Sequence, residues 1–308
     1  MTGVLTRNEM LRKDVPAQRE LIEAGGEWVA PAGADPADIV REAQAEGVRA
    51  LHVAGRDLSF LSELPALEHL SLGDVGDVTP AMGLPGLRSF SVVSWESGQL
   101  DATAWPRLAR FGASEPPRGG GGVESAFGHP GVEVLALRRY PGQDLAAVTA
   151  PRLRELHLSS SRLETLSGLE RHADSLELLA LSRVPKLASL AGLGSMRRLQ
   201  VLAIDGARLV KTLTEVAAAP VLRLLDVGDQ RGIESLDPLA GHPTLEFVLF
   251  ERTTDMSLKA LGELPRLRAV VGHQSRAWTP DLGGVPSLHA FADDDQVKRD
   301  YFAMRLRY

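Results

Sequence analysis

The chain has 308 residues, of which 44% are hydrophobic and 24% charged, and it carries a net charge of −6. This composition supplies enough apolar side chains for a continuous core in one large domain or two average ones. The mild acidity argues against a surface that follows nucleic-acid phosphates, since such binding needs a basic stripe. The absence of cysteine excludes disulfides, thiolate zinc sites and cysteine nucleophiles.

The first part of the chain, residues 1–47, predicts a helical cap. It begins with charges where a signal peptide needs an apolar run, and no stretch reaches the ~18 apolar residues of a membrane helix. A helix is predicted from Pro16 to Ala24, and another after Asp35, an N-cap residue followed by proline. The segment EWVAP between them predicts a short strand that joins a sheet. We therefore expect a cytoplasmic protein that makes no membrane contact.

A repeat of about 22 residues fills residues 48–295. Its pattern is Pro-x-Leu-x-x-Leu-x-Leu, as in PALEHLSL at 65–72, and about twelve copies follow one another. We number the positions of each repeat from its first apolar residue, which is Val48, Leu67, Leu87, Leu108, Val132, Leu153, Leu176, Leu199, Leu222, Leu245, Leu267 or Leu288. Between copies, apolar residues recur at every third position, a spacing that suits 3₁₀ turns. A regular period of this kind predicts a solenoid.

These repeats resemble the leucine-rich repeat family, and their period with L-x-x-L-x-x-L return segments is similar to the short-repeat class that includes bacterial internalins. The resemblance covers residues 48–295. It implies an α/β solenoid: a horseshoe with a curved parallel β-sheet on the concave face, short 3₁₀, helical or irregular convex turns, and helical caps at both ends. It also implies protein binding, without naming the partner.

The ninth position of each repeat departs from the family pattern. The family places Asn or Cys there, to tie neighbouring turns by hydrogen bonds to the backbone. Here the position holds Arg56, Val75, Trp95, Pro116, Tyr140, Ser161, Val184, Ala207, Gln230, Thr253, Ser275 and Gln296. Because buried backbone groups are nearly always paired, the turns must be closed in another way. We expect irregular turns and an imperfect curve.

Two segments lie outside the regular repeat. SEPPRGGGGVESAFG at 114–128 predicts a flexible insertion, and its run Gly119–Gly122 is followed by Val-Glu and not by the Lys-Ser/Thr of a phosphate-binding loop. Residues 296–308 predict an amphipathic C-terminal capping helix. Three carboxylates precede it at Asp293, Asp294 and Asp295. We interpret them as favourable charge at a helix N-terminus, with a divalent-metal site as the alternative.

Strand alternation separates the core from the concave face. Positions 4 and 6 point into the core, and positions 3, 5 and 7 point out. On this rule the concave face is polar in the N-terminal repeats and apolar from the seventh repeat onward, with acidic residues beside the apolar part. The predicted partner-binding residues are Leu178, Val201, Asp205, Leu224, Asp226, Phe247, Leu249, Glu251 and Val271. The acidic residues favour a partner with a basic rim.

The alternative is that the chain covers this apolar stripe with its own C-terminal helix, since parallel sheets are apolar on both faces when both are covered. The predicted function is that of a monomeric, non-enzymatic scaffold, without cofactor or metal, that binds a partner protein through the concave face. One form of it is an immunity or inhibitor protein that blocks an enzyme such as a basic nuclease toxin.

An enzyme is the other class of function that the residues allow. His52 and His69 fall on neighbouring strands, and His157 shares the concave surface with Arg138, Glu155 and Ser159. A hydrolase or metal-binding enzyme would have its site near these three histidines. The sequence contains no nucleophile-elbow motif, which favours the binding function over the enzyme.

Overall fold

The computed structural model describes residues 28–31, 33–119, 121–228, 232–251 and 253–271. Their strands form one parallel sheet in which each strand pairs with the next along the chain. The strands are β1 (Trp28–Val29), β2 (Ala50–Gly55), β3 (His69–Asp77), β4 (Ser89–Ser97), β5 (Arg110–Glu115), β6 (Val134–Arg138), β7 (Glu155–Ser159), β8 (Leu178–Ser182), β9 (Val201–Asp205), β10 (Leu224–Val227), β11 (Phe247–Phe250) and β12 (Ala269–Val271). Sequential parallel pairing is the solenoid arrangement that the repeat predicts.

The return segments are mostly 3₁₀ turns, as the three-residue spacing of their apolar residues predicts. These turns are Ser59–Glu63, Thr79–Gly83, Ala102–Ala104, Val123–Ala126, Leu169–His172, Leu193–Ser195 and Asp237–Leu239. The α-helices of the described residues are α1 (Pro36–Glu46), α2 (Thr214–Ala217) and α3 (Lys259–Gly262). The short repeat leaves space for only one turn of helix in α2 and α3.

The N-terminal cap agrees with its prediction where the structure describes it. Asp35 accepts a hydrogen bond from the Ala37 N–H at 2.8 Å, and Gly47 ends α1 with a φ of 64°. The strand predicted in EWVAP is β1, which pairs with β2. The helix predicted from Pro16 to Ala24, the last repeat and its strand at 286–293, and the capping helix at 296–308 lie outside the described residues.

One continuous core runs between the sheet and the turns. Positions 4 and 6 of every described repeat belong to it, as Leu70 and Leu72 do in β3 with 2% and 1% of their surface exposed. Aromatic side chains fill the same layer, where the rings of Phe90 and Trp105 stack at 4.5 Å between centroids. The predicted alternation is therefore confirmed for the core side of the sheet.

The turns that follow the central strands are closed without the family's Asn. Position 8 of four successive repeats has a positive φ: Arg139 (61°), Ser160 (51°), Arg183 (53°) and Gly206 (69°). The backbone N–H groups of Arg139, Ser160 and Arg183 each donate to the position-7 carbonyl of the next repeat at 2.8 Å. Position 9 then points inward, where Tyr140, Ser161, Val184 and Ala207 are buried. A left-handed backbone at position 8 thus does what the Asn side chain does in the family.

The glycine-rich insertion contains the 3₁₀ turn Val123–Ala126 where the sequence predicts a loop, and its glycines contact the preceding repeat. Gly121 and Gly122 have φ values of 60° and 84°. The Gly121 carbonyl accepts the Leu100 N–H at 2.8 Å, and a Cβ on Gly122 would overlap the Leu100 backbone. The glycines are needed for a left-handed turn and for close approach to the preceding repeat. Gly120 lies outside the described residues.

Two buried histidines tie successive turns together. The Nε2 atoms of His172 and His242 lie 2.9 Å from the carbonyl oxygens of Val148 and Ala219, one repeat earlier. Burial lowers the pKa of both rings below the usual value of 6.5, more than the carbonyl contact raises it. Both are therefore neutral in the folded protein at neutral pH, with Nε2–H as the donor.

This burial predicts a loss of stability in mild acid. Because the folded pKa lies below 6.5, the unfolded chain binds more protons once the pH falls below 6.5. The free energy of unfolding is retained above pH 6.5 and decreases as the pH falls toward the folded pKa, before carboxylates begin to titrate. Urea unfolding at several pH values measures this slope. His172→Gln keeps a donor for Val148 and has no titratable ring, so it must reduce the slope, while His242 continues to contribute; an unchanged slope would contradict the assignment.

Candidate protein-binding face

The sheet surface opposite the core is partly exposed and polar over most of its length. From β2 to β9 its residues at positions 5 and 7 are partly or fully exposed, whereas at position 3 only Ser89 and Arg110 are partly exposed and the others are buried. We call this surface the polar concave face and define it by His52, Ser71, Ser89, Ser91, Arg110, Arg138, His157, Ser159, Ser182 and Asp205, all of intermediate exposure. The strands hold it in one register, because each parallel pair aligns equivalent repeat positions.

Hydrogen bonds between neighbours organise this face. His52 Nδ1 and Ser71 Oγ are 3.0 Å apart, and their residues are direct partners in the sheet. Arg138 pairs with Glu115 at 2.5 Å across β5 and β6. Such contacts fix side-chain directions and leave the remaining donors and acceptors available to a bound surface.

The apolar part of the concave surface is buried, as the alternative of a covered stripe requires, and it is not exposed as an open binding surface would be. Leu178, Val201, Leu224, Phe247 and Leu249 have 3%, 1%, 0%, 0% and 8% of their surface exposed. They point away from the core as predicted, since they alternate with core residues along β8 to β11 and lie outside the core cluster. We call these five residues the apolar concave stripe.

The structure gives part of the environment of this stripe. The Arg268 guanidinium lies over the Phe247 ring, 5.5 Å from its centroid. Val271 pairs with Leu249 in the sheet. A sheet buried on both faces is the arrangement expected for apolar residues at every position. The alternative prediction, that residues 296–308 cover the stripe, concerns residues that are not described, and the predicted role of the stripe in partner binding stays a prediction.

The predicted acidic residues have different surroundings. Asp205 and Glu251 are of intermediate exposure, and Asp205 accepts from the Ser182 hydroxyl at 3.5 Å. Asp226 is buried and accepts the Gly228 N–H at 3.0 Å. Asp226 therefore closes a turn after β10, and a side chain of this kind is not available as a recognition charge.

The three histidines of the enzyme alternative are not brought together. In the sheet His52 is the direct partner of Ser71, and His69 is the direct partner of Ala50. The two histidines are therefore offset by two positions along neighbouring strands. His157 lies five strands from β2, about 24 Å at the usual strand spacing, and its Nε2 is 3.3 Å from Glu155 Oε2. No group of three His, Asp or Glu residues suited to a metal ion occurs in the described part of the chain. The predicted metal alternative at Asp293, Asp294 and Asp295 lies outside it.

The structure shows a row of ion pairs along the edge where the strands begin, and the prediction from the sequence did not include it. Three glutamates at position 2 each lie between two arginines: Glu68 with Arg49 and Arg88, Glu177 with Arg154 and Arg198, and Glu246 with Arg223 and Arg268. All but Arg198 occupy position 2 themselves. Reading position 2 down the aligned repeats shows the charges alternating, and this signal in the sequence would have found the row.

Of the comparisons with known proteins, the one with solved structures found similar folds. The sequence matches no family model and no curated protein. Among solved structures, 36 chains match. An internalin, inlF, from Listeria monocytogenes str. 4b F2365 matches with a TM-score of 0.56 and 14% identity, over 82% of this chain and 75% of the internalin chain.

The chain has the leucine-rich-repeat fold. At this level of identity the likeness concerns the fold alone. The repeat register, the sequential parallel sheet and the 3₁₀ return segments of this chain agree with that fold. The leucine-rich-repeat solenoid has no helix, among the residues described, that is long and apolar enough to span a membrane.

Proposed function

We propose that this leucine-rich-repeat solenoid is a protein-interaction scaffold that binds its partner on the polar concave face. One observation carries the proposal: each of eight successive strands contributes at least one partly exposed polar side chain, at position 3, 5 or 7, to the side of the sheet that faces away from the core. At ~4.8 Å per strand the face extends for about 34 Å across the eight strands.

The chemistry of the face suits a protein surface. Serines at positions 3, 5 and 7 donate and accept hydrogen bonds, and Arg110 and Arg138 add charge next to Glu115. Small side chains leave the concave surface open to a helix or loop. Asp205 at the end of β9 favours a basic rim on the partner. The apolar concave stripe would join such an interface only where it becomes accessible.

Cross-linking from single cysteines tests this function, because the natural chain contains none. Ser91→Cys places a benzophenone label on the polar concave face, and Ser62→Cys places the same label on an exposed convex turn. We expect discrete partner adducts from the first variant in a lysate of the source cells, with loss of the adducts when Ser159→Arg is added. Equal adducts from both positions, or from neither, would contradict a concave binding face.

A further inference from the structure

A cleft lined by arginines opens on the edge of the sheet where β9 to β12 begin. Its volume is about 280 Å³. Four arginines line it with three other side chains: Arg197, Arg198, Arg223, Arg266, Gln200, Val221 and Thr244. The whole chain is acidic, with a net charge of −6, and in this cleft four arginines accompany three paired carboxylates, Asp174, Glu177 and Glu246, which leaves one positive charge in excess.

The repeat register explains the shape of the cleft. Arg198, Val221, Thr244 and Arg266 stand three residues before paired positions of β9, β10, β11 and β12, so they are equivalent in four successive repeats. The two arginines are the walls, and the shorter Val221 and Thr244 are the floor between them. The Thr244 hydroxyl donates to the Leu222 carbonyl at 2.7 Å, which holds this side chain down. The walls are three strand spacings apart, about 14 Å.

Two of the carboxylates that pair with these arginines lie deeper than the guanidinium groups, whereas Asp174, which pairs with Arg197, is 73% exposed. The side chains of Glu177 and Glu246 are 4% and 13% exposed, whereas Arg198, which pairs with Glu177, is 59% exposed. Arg266 is exposed and forms no ion pair with any described residue. The guanidinium groups of Arg198 and Arg266 are therefore accessible to solvent, and a guanidinium can bind one carboxylate through two parallel N–H groups.

We propose that this cleft binds an acidic peptide segment of the partner protein, an inference that rests on the proposed scaffold function. An extended segment of about four residues spans 14 Å, so carboxylates near its two ends would reach Arg198 and Arg266 together. The net charge of −6 and the glutamates along the same edge disfavour a long polyanion such as nucleic acid.

Fluorescence anisotropy with a labelled hexaglutamate peptide tests the cleft directly. We expect salt-sensitive binding that weakens at least about tenfold in the double variant Arg198→Gln, Arg266→Glu. The matched control is Arg107→Gln with Arg152→Glu. Both of these arginines are exposed and precede position 1 of their repeats, as Arg198 and Arg266 do, but they lie outside the cleft.

The outcomes separate the cleft from the scaffold function. Equal weakening in both double variants, or no binding of the peptide, overturns the cleft as a peptide site. Inorganic phosphate that displaces the peptide as well as free hexaglutamate does would also overturn it, by showing a site for small anions. If the labelled Ser91→Cys variant is folded and gives no adducts, the concave face is rejected as the binding surface. The result with the hexaglutamate peptide is not affected by that outcome. Circular dichroism confirms that each variant is folded.

Discussion

Phe247→Asp is expected to unfold the C-terminal repeats, with a loss of more than about 4 kcal/mol in the free energy of unfolding. The Phe247 side chain has none of its surface exposed, although it points away from the core of the solenoid. The substitution removes a buried ring from beneath the Arg268 guanidinium and places a carboxylate among apolar side chains. Urea unfolding followed by circular dichroism measures the change.

A matched control lies at the same repeat position. Ser89 is at position 3 of β4 and is partly exposed on the polar concave face, so Ser89→Asp should change the free energy of unfolding by less than about 1 kcal/mol. Leu224→Asp should behave like Phe247→Asp, since Leu224 is also fully buried in the apolar concave stripe. A stable, folded Phe247→Asp variant would show that the stripe is accessible and would restore it as a candidate interface.

Trp105→Ala should cost about 3–5 kcal/mol, the range for truncating a buried aromatic residue. The Trp105 side chain is fully buried, and its ring stacks on Phe90 with centroids 4.5 Å apart. Its Nε1–H donates to the Ala81 carbonyl at 3.0 Å, so the truncation also removes one buried hydrogen bond, although this carbonyl still accepts the Leu84 N–H at 3.2 Å. Denaturant unfolding gives the magnitude, and Trp28→Ala on the partly buried edge strand β1 should cost clearly less.

Substitution by phenylalanine separates the hydrogen bond from the packing. Trp95 is also buried, but its Nε1–H meets no acceptor among the described residues. Trp105→Phe should therefore be more destabilising than Trp95→Phe, because only Trp105 loses a hydrogen bond. Equal costs for the two variants would mean that the bond from Trp105 to Ala81 contributes nothing to stability.

The solenoid could be predicted from the sequence because its physical causes are local and repeated. Alternation places residues such as Leu70 and Leu72 in the core, and a return segment with an apolar residue at every third position forms a 3₁₀ turn. The cap of α1 at Asp35 and Gly47 follows from side-chain and backbone preferences within a few residues. Because every repeat has the same pattern, the positions assigned in one repeat can be checked against those of its neighbours.

The candidate site was predicted less completely, because exposure depends on what packs over a surface. Phe247 and Ser89 occupy the same repeat position and point to the same side of the sheet, yet one is buried and the other partly exposed. The pattern along a strand predicts to which side of the sheet a side chain points. It does not predict which distant segments of the chain pack against that side chain. The glycines at 121 and 122 show the same limit, since composition alone does not distinguish a flexible run from a close backbone contact.

The sequence by itself determined the period, the strand register and the two sides of the sheet. Only the tertiary structure decided that the apolar concave stripe is buried, that a left-handed residue at position 8 replaces the family's Asn, and that Arg198 and Arg266 are the two walls of one cleft. The physical reason is range. Periodicity and capping act over a few residues, whereas burial and charge clustering join side chains that stacking of the repeats brings together.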